Sequence, residues 1–227
     1  MEISRTAAAR GGFQDSLPLA IAIVAFGAAF GVHVVQAGLE WWWTPIYGIV
    51  VFAGSLEFLL VDLSLGGASL AVVVLTSFLV NSRHAFYALS YPLERVRGRW
   101  ARAYAMYAMT DDAYALTAGR SGEVMPGPRI IAVAAAVQLW WIAGGLLGAV
   151  GGTALGDVEG ADFAVTATFL VLALQATRAA PDRVTPVLGL ACGVLAVVLV
   201  PAQALLVASG ALVLIVTALF LREESHA

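Results

Sequence analysis

Leu70-Ala71-Val72-Val73-Val74-Leu75-Thr76-Ser77-Phe78-Leu79-Val80-Asn81-Ser82-Arg83-His84 decides how this chain is read: an almost wholly apolar run ends on a guanidinium and an imidazole. An Arg at the centre of a spanning helix costs about 2.5–3.5 kcal/mol on insertion scales, so such groups face a protein interior, a water-filled cavity or the interface. The cluster Asn81, Arg83 and His84 therefore marks a place where a membrane protein handles polar cargo. The plainer reading is that Arg83 and His84 mark the membrane interface, with Arg83 snorkelling to headgroups.

The rest of the chain supports the membrane class. Of 227 residues, 61% are hydrophobic and only 12% are charged, against about 25% charged in soluble domains. The mean hydropathy is +0.89. All 12 basic residues are Arg, and the formal net charge is -3, which gives no sign of nucleic-acid binding. Cys192 is the single cysteine and lies in an apolar run, so neither a disulfide framework nor a metal cluster is expected. No Gly-x-x-x-x-Gly-Lys loop is present, since Lys is absent, and no cofactor is expected. Residues 1–16 are polar, and no cleavable signal peptide is evident.

A spanning helix needs about 20 mostly apolar residues. Residues 17–37, 45–63, 68–90, 100–118, 130–150, 163–177, 184–200 and 202–221 are the candidates. The predicted fold is an all-α polytopic membrane bundle of seven or eight segments. Residues 1–16 and 222–227 are its cytoplasmic ends, and 17–221 form a single transport domain. Pro18 is read at the start of the first helix, with Gln14 and Asp15 as caps. His33 and Trp41-Trp42-Trp43 are read as interfacial. Gly27/Gly31 and Gly144/Gly148 are small-xxx-small pairs, read as helix packing.

Arginine placement orients the chain. Arg5 and Arg10 place the N-terminus in the cytoplasm, the acidic 156–162 stretch outside, and Arg178, Arg183 and Arg222 inside. One region disagrees. Eight full crossings put Arg95, Arg97, Arg99 and Arg102 outside. Either the charge rule fails there, or one of segments two to four does not fully cross. Gly54-Ser55 and Gly66-Gly67 permit a broken or re-entrant element, which membrane proteins tolerate where it lines a cavity or is buried in protein.

Four groups carry possible chemistry: Gly54-Ser55-Leu56-Glu57, Asn81 with Arg83 and His84, Thr110-Asp111-Asp112, and Gln138-Leu139-Trp140-Trp141. A carboxylate at Glu57 must pair, bind water or protonate, which makes it a candidate proton carrier; the alternative is a static ion pair with Arg83. Thr110 and Asp111 are good helix caps. Asp111 is otherwise placed to balance Arg83, with Asp112 beside it. Trp140 and Trp141 are read as packing or belt residues.

These blocks, in this order, resemble the AzlC family, the large subunit of bacterial branched-chain amino acid exporters. Leu17-Pro18 leading to Phe26-Gly27 and Phe30-Gly31 is similar to the family's first helix, and Phe52-Ala53-Gly54-Ser55 with Phe58 to its next block. Asn81-Ser82-Arg83-His84-Ala85-Phe86-Tyr87 matches its most distinctive stretch, and Thr110-Asp111-Asp112-Ala113-Tyr114 resembles its Thr-Asp-Glu block. The chain departs at Glu57, where the family usually has Gln, and at Asp112, where it usually has Glu. The resemblance implies proton-driven export of valine, leucine and isoleucine, with methionine as a further cargo. It also implies a small AzlD-type membrane partner and a multi-pass protein in the bacterial inner (cytoplasmic) membrane lipid bilayer. On this reading Arg83 takes the cargo carboxylate through its two-pronged fork, Asp111 or Glu57 takes the ammonium, and Phe58 and Phe86 wall the aliphatic side chain. Rival readings are a passive channel or scaffold subunit, and an intramembrane hydrolase using Ser55 and His84, for which no Gly-x-Ser-Gly elbow is present.

Overall fold

The computed structural model describes residues 5–118, 125–155, 170, 184–200 and 204–224. All regular structure among them is helical. The expected segment 163–177, apart from Leu170, lies outside the described residues, as do Arg178, Arg183 and the 156–162 stretch. Contacts gather the chain into two compact units, Met1–Gly67 with Asn81–Val165, and Ala68–Val80 with Thr166–Ala227.

Two long helices frame the first unit. α1, Arg5–Gln36, has 32 residues, and α8, Gly127–Leu155, has 29. At 1.5 Å per residue they reach about 48 and about 44 Å, beyond the ~30 Å of a hydrocarbon core. They run parallel. A Cβ built on Gly12 would meet Ala132, on Gly144 the Val24 backbone, on Gly148 the Ala28 backbone and on Gly152 Val32, all at one constant sequence offset. Gly27 and Gly31 lie on the Trp141–Ala149 backbone in the same seam. The two glycine pairs read from the sequence thus face each other, and their missing side chains let the backbones touch.

α1 begins well before the expected apolar segment, which starts at residue 17. Pro18 is inside the helix and not at its start, and Asp15 is not a cap. Its carboxylate, 7% exposed, accepts from Arg129 Nε at 2.6 Å and Nη2 at 2.9 Å. This two-pronged pair ties α1 to the first turn of α8. Ser16, also buried, accepts from the Trp140 indole at 3.0 Å and donates to the Phe13 carbonyl.

Segments two to four, among which the sequence permits one broken element, are each broken. The second divides into α2, Trp43–Val50, and α3, Gly54–Leu65. The third divides at Ser82 into α4, Leu70–Asn81, and α5, Arg83–Ala88. The fourth divides into α6, Arg99–Tyr107, and α7, Asp111–Ala118. The longest of these pieces has 12 residues, about 18 Å, too short to span alone.

Contacts with the frame give the path of two of these broken segments. α2 starts with Thr44 beside Gly145 and descends α8, so that Gly48 meets Trp141 and Ile142. The chain turns at Val51–Ala53, and α3 climbs back along α1: Phe58 packs on Phe30 at 5.2 Å and on His33 at 5.4 Å. Asp62 reaches His33. α2 and α3 therefore form a hairpin that enters along the frame from its Gln36 end.

α6 and α7 form a second hairpin from the opposite end. The Arg95 backbone lies on Gly127, where a Cβ would collide with it. From there α6 rises to Tyr104 and Tyr107, whose hydroxyls both bond to Gln138. α7 returns: Tyr114 stacks on Tyr87 with centroids 4.5 Å apart and shares a 2.7 Å hydrogen bond with Ser90, just before the Arg95 loop. Thr110 caps α7 by accepting from Ala113 N, as its residue type predicts. Arg95 thus sits at the same end of the frame as Arg129, beside the starts of α1 and α8. Within this unit α2–α3 turns back before the arginine loop, which bears on the conflict between the charge rule and a full crossing by segment two.

In the second unit, α9, Val184–Leu199, packs with α10, Ala204–Glu224, and Gly189 faces Leu212. Leu190, Val198 and Leu214 are each about 70% exposed.

Candidate functional site

The two hairpin tips meet partway along α8, at Gln138. This residue lies about 16 Å from the α8 start at 1.5 Å per residue. Where α2 ends, its last carbonyls lose their helical partners. The Tyr47 carbonyl takes the Val51 and Phe52 N–H groups. Gln138 Nε2 donates to the Gly48 carbonyl at 3.0 Å, and the Tyr107 hydroxyl donates to the Ile49 carbonyl. Gln138 Nε2 also donates to the Tyr107 oxygen at 3.0 Å, while Tyr104 donates to Gln138 Oε1 at 2.8 Å. One amide from the frame thus holds both tips.

The turn itself is strained. Phe52 has φ +45°, a left-handed conformation that costs a non-glycine residue about 1–2 kcal/mol. Its ring is buried and lies 6.0 Å from that of Tyr107. Gly54, the first residue of α3, leaves room for Trp141: a Cβ there would stand 3.1 Å from the indole.

Glu57, at 0% exposure, is fully buried. Its Oε1 accepts from the Ala53 N–H and its Oε2 from the Trp141 indole N–H, both at 3.0 Å. The first bond satisfies a donor at the start of α3, much as a capping box does. Phe30, stacked on Trp141 at 5.9 Å and packed on Phe58, encloses the carboxylate on the α1 side. Trp141 is therefore not a belt or simple packing residue, because it binds the buried carboxylate. Phe58 lines this enclosure, as its place beside Glu57 suggests.

The other expected site residues fall into two places. Gly54, Ser55 and Glu57 open α3 at the first tip. Asp111 and Asp112 open α7 at the second, half-buried. Asn81 ends α4, with its Oδ1 buried and without a hydrogen-bond partner among the described residues. Arg83 and His84 begin α5. His84 is half-buried, edge-on to Tyr87 at 5.7 Å. The Tyr87–Tyr114 stack then joins the helix that carries His84 to the helix that carries Asp111. The side chains of Arg83 and Phe86 lie outside the described residues.

His33 is not a simple interfacial residue. Its Nε2 lies 3.0 Å from Asp62 Oδ1 at the mouth of the first hairpin. Sequence reasoning missed this pair, and it missed Tyr104 and Tyr107. The Gln138-to-Trp141 spacing was the available signal: three residues apart on a helix, the two side chains share a face.

Four findings from other proteins bear on this arrangement. The family described as AzlC protein matches residues 18–155. A Helicobacter pylori membrane protein is 32% identical over 218 residues, covering 92% of this chain and 94% of its own. The Bacillus subtilis branched-chain amino acid transport protein AzlC is 27% identical, over 85% of this chain and 77% of its own. Escherichia coli inner membrane protein YgaZ is 24% identical, over 63% and 61%. No solved structure matches the chain. The match over the two hairpins and both frame helices, with that of the membrane-protein relatives, places the chain in the AzlC family.

Proposed function

We propose that this chain is the large subunit of a secondary transporter that exports valine, leucine, isoleucine and methionine in exchange for protons. The observation that carries the reading is the meeting of two re-entrant hairpins from opposite ends, with a buried carboxylate at their tips. Broken helices place half-helix termini at the depth where a charged cargo must be held. An amino acid carries both charges, and the tips offer both kinds of helix end. The Bacillus subtilis relative is named for branched-chain amino acid transport, and the Escherichia coli relative for the inner membrane.

The arginines orient the protein. Arg5, Arg10, Arg95, Arg97, Arg99, Arg102 and Arg129 belong to the end where α1 and α8 begin. The positive-inside rule puts that end in the cytoplasm. The N-terminus is then cytoplasmic, and the first hairpin opens outward. Residues 17–221 act as one transport domain, and a small AzlD-type membrane protein is the partner. Arg83 takes the cargo carboxylate. Gly54, Ser55, Asn81, His84, Asp111 and Asp112 complete the polar surroundings, and Glu57 carries the proton.

The test is amino acid release from bacterial cells loaded with dipeptides, with and without the neighbouring small membrane protein. Faster leucine, valine, isoleucine or methionine release that needs both chains, and collapses with the proton gradient, is the expected result. Release that rises linearly with internal concentration and ignores the gradient would make the protein a pore. Arg83→Ala is expected to abolish release at normal membrane levels; undiminished release would remove Arg83 from the site.

A further inference from the structure

We propose that the Gly48 and Ile49 carbonyls form a subsite for the primary ammonium of the cargo, closed in this state by donors from the protein itself. The proposal deepens the transport reading and rests on it for the identity of the cargo.

The argument starts from backbone accounting. A helix that ends inside a membrane leaves carbonyls that must be satisfied. They also sit at the negative end of the α2 dipole, which favours a cation. In this structure the donors are side chains from two other elements, Gln138 of α8 and Tyr107 of α6. A tie needed only for folding could come from the chain's own next turn. Here one donor, Gln138, comes from the frame and the other, Tyr107, from the tip of the opposite hairpin, so the Tyr107 bond breaks whenever the tips separate.

The chemistry fits a primary ammonium. Its three N–H donors can replace an amide N–H and a phenol O–H at two carbonyls and still offer a third. The buried Glu57 carboxylate belongs to the same turn, where it accepts from the Ala53 N–H. It is held by Trp141, one helical turn beyond Gln138. The charge of an entering ammonium therefore has a counter-charge close at hand, which a neutral internal donor does not need. Tyr107 also has an exit: it is 38% exposed, so its hydroxyl can swing aside without unpacking the core. Tyr104 can keep Gln138 oriented through Oε1 when Nε2 lets go.

Cargo must displace these donors, so the closed form lowers its apparent affinity by the fraction of time the site is open. Removing an internal donor should tighten binding. A residue that serves only to hold the fold has the opposite or no effect on affinity.

The experiment is a binding titration on the purified full chain in lipid nanodiscs, read by tryptophan fluorescence, with thermal melting as the check on folding. The probes are leucine, 3-methylbutylamine, which keeps the ammonium and lacks the carboxylate, and 4-methyl-2-oxopentanoate, which lacks the ammonium. Tyr107→Phe is expected to bind leucine and the amine about five- to tenfold more tightly, the worth of one hydrogen bond no longer broken. Gln138→Glu, which keeps the bond from Tyr104 and removes the donor, is expected to do the same. The oxo acid is expected to show no change in either variant. Unchanged or weaker amine binding in both variants at an unchanged melting temperature would overturn the proposal, as would a wild-type chain that binds neither amine nor leucine. Failure of leucine export in cells, with amine binding tightened as described, would instead sink the export reading and leave the subsite standing.

Discussion

The α1–α8 frame and the two hairpins are built on opposite plans. The frame is two long parallel helices in backbone contact, with small residues in the seam and one two-pronged ion pair at its end. The hairpins are four helices of 8 to 12 residues, joined by turns and held at their tips by hydrogen bonds from side chains. A glycine seam has no alternative arrangement, because any shift meets backbone. A tip held by an amide and a phenol can exchange partners. The stiff part therefore fixes depth and direction, and the exchangeable part carries the polar groups.

Substitutions in the frame should act on stability, and those at the tips on transport. The largest expected effect is at Arg129. Arg129→Ala removes the two-pronged partner of the Asp15 carboxylate, 7% exposed, and should cost about 3 kcal/mol. Asp15→Leu combined with Arg129→Met should recover most of it, read by thermal melting in detergent. A double substitution no more stable than Arg129→Ala would show that the pair is not the tie described. Gly148→Ala comes next. Its Cβ would land on the Ala28 backbone, with an expected loss of about 2 kcal/mol and a lower folded yield. A variant as stable as wild type would mean the seam is looser than its geometry.

At the tips the pattern should reverse. Glu57→Gln keeps the side-chain shape and one acceptor for Ala53 or Trp141, so its melting loss should stay near 1 kcal/mol. Leucine release should persist while its dependence on pH flattens, because the titrating group is gone. A pH profile identical to wild type would take the proton away from Glu57. His33→Asn should have the smallest effect. Asp62 is 57% exposed, and such pairs are worth about 0–1 kcal/mol. A larger loss would mean that the His33–Asp62 pair is a main tie between the first hairpin and α1.

Much of this plan is legible in the sequence, and the limits are physical. The apolar runs 17–37 and 130–150 locate α1 and α8, and the Gly27/Gly31 and Gly144/Gly148 spacing identifies their seam. The arginine conflict at Arg95–Arg102 and the Gly54-Ser55 pair point to a segment that fails to cross. What the sequence hides is that two segments turn back. Val50-Val51-Phe52 is apolar, with two β-branched valines, and nothing in it announces a left-handed residue; the strain at Phe52 is held by tertiary packing. The same holds for the partners of the site residues. Glu57 stands out as a carboxylate in an apolar run, but its partner Trp141 is far along the chain and looks like a belt residue. Asp15 looks like a cap for the same reason: its partner, Arg129, is visible only once α1 and α8 lie in parallel.

The central claim is that α2–α3 and α6–α7 enter from opposite ends without crossing. Single cysteines placed by Arg10→Cys, Arg97→Cys, Gly38→Cys and Gly67→Cys, in a Cys192→Ser background, test it with a membrane-impermeant maleimide in right-side-out and inverted vesicles. Positions 10 and 97 are expected to label from one side, and positions 38 and 67 from the other. Labelling of position 97 from the same side as position 38, as full crossings by segments two and three require, would contradict the account.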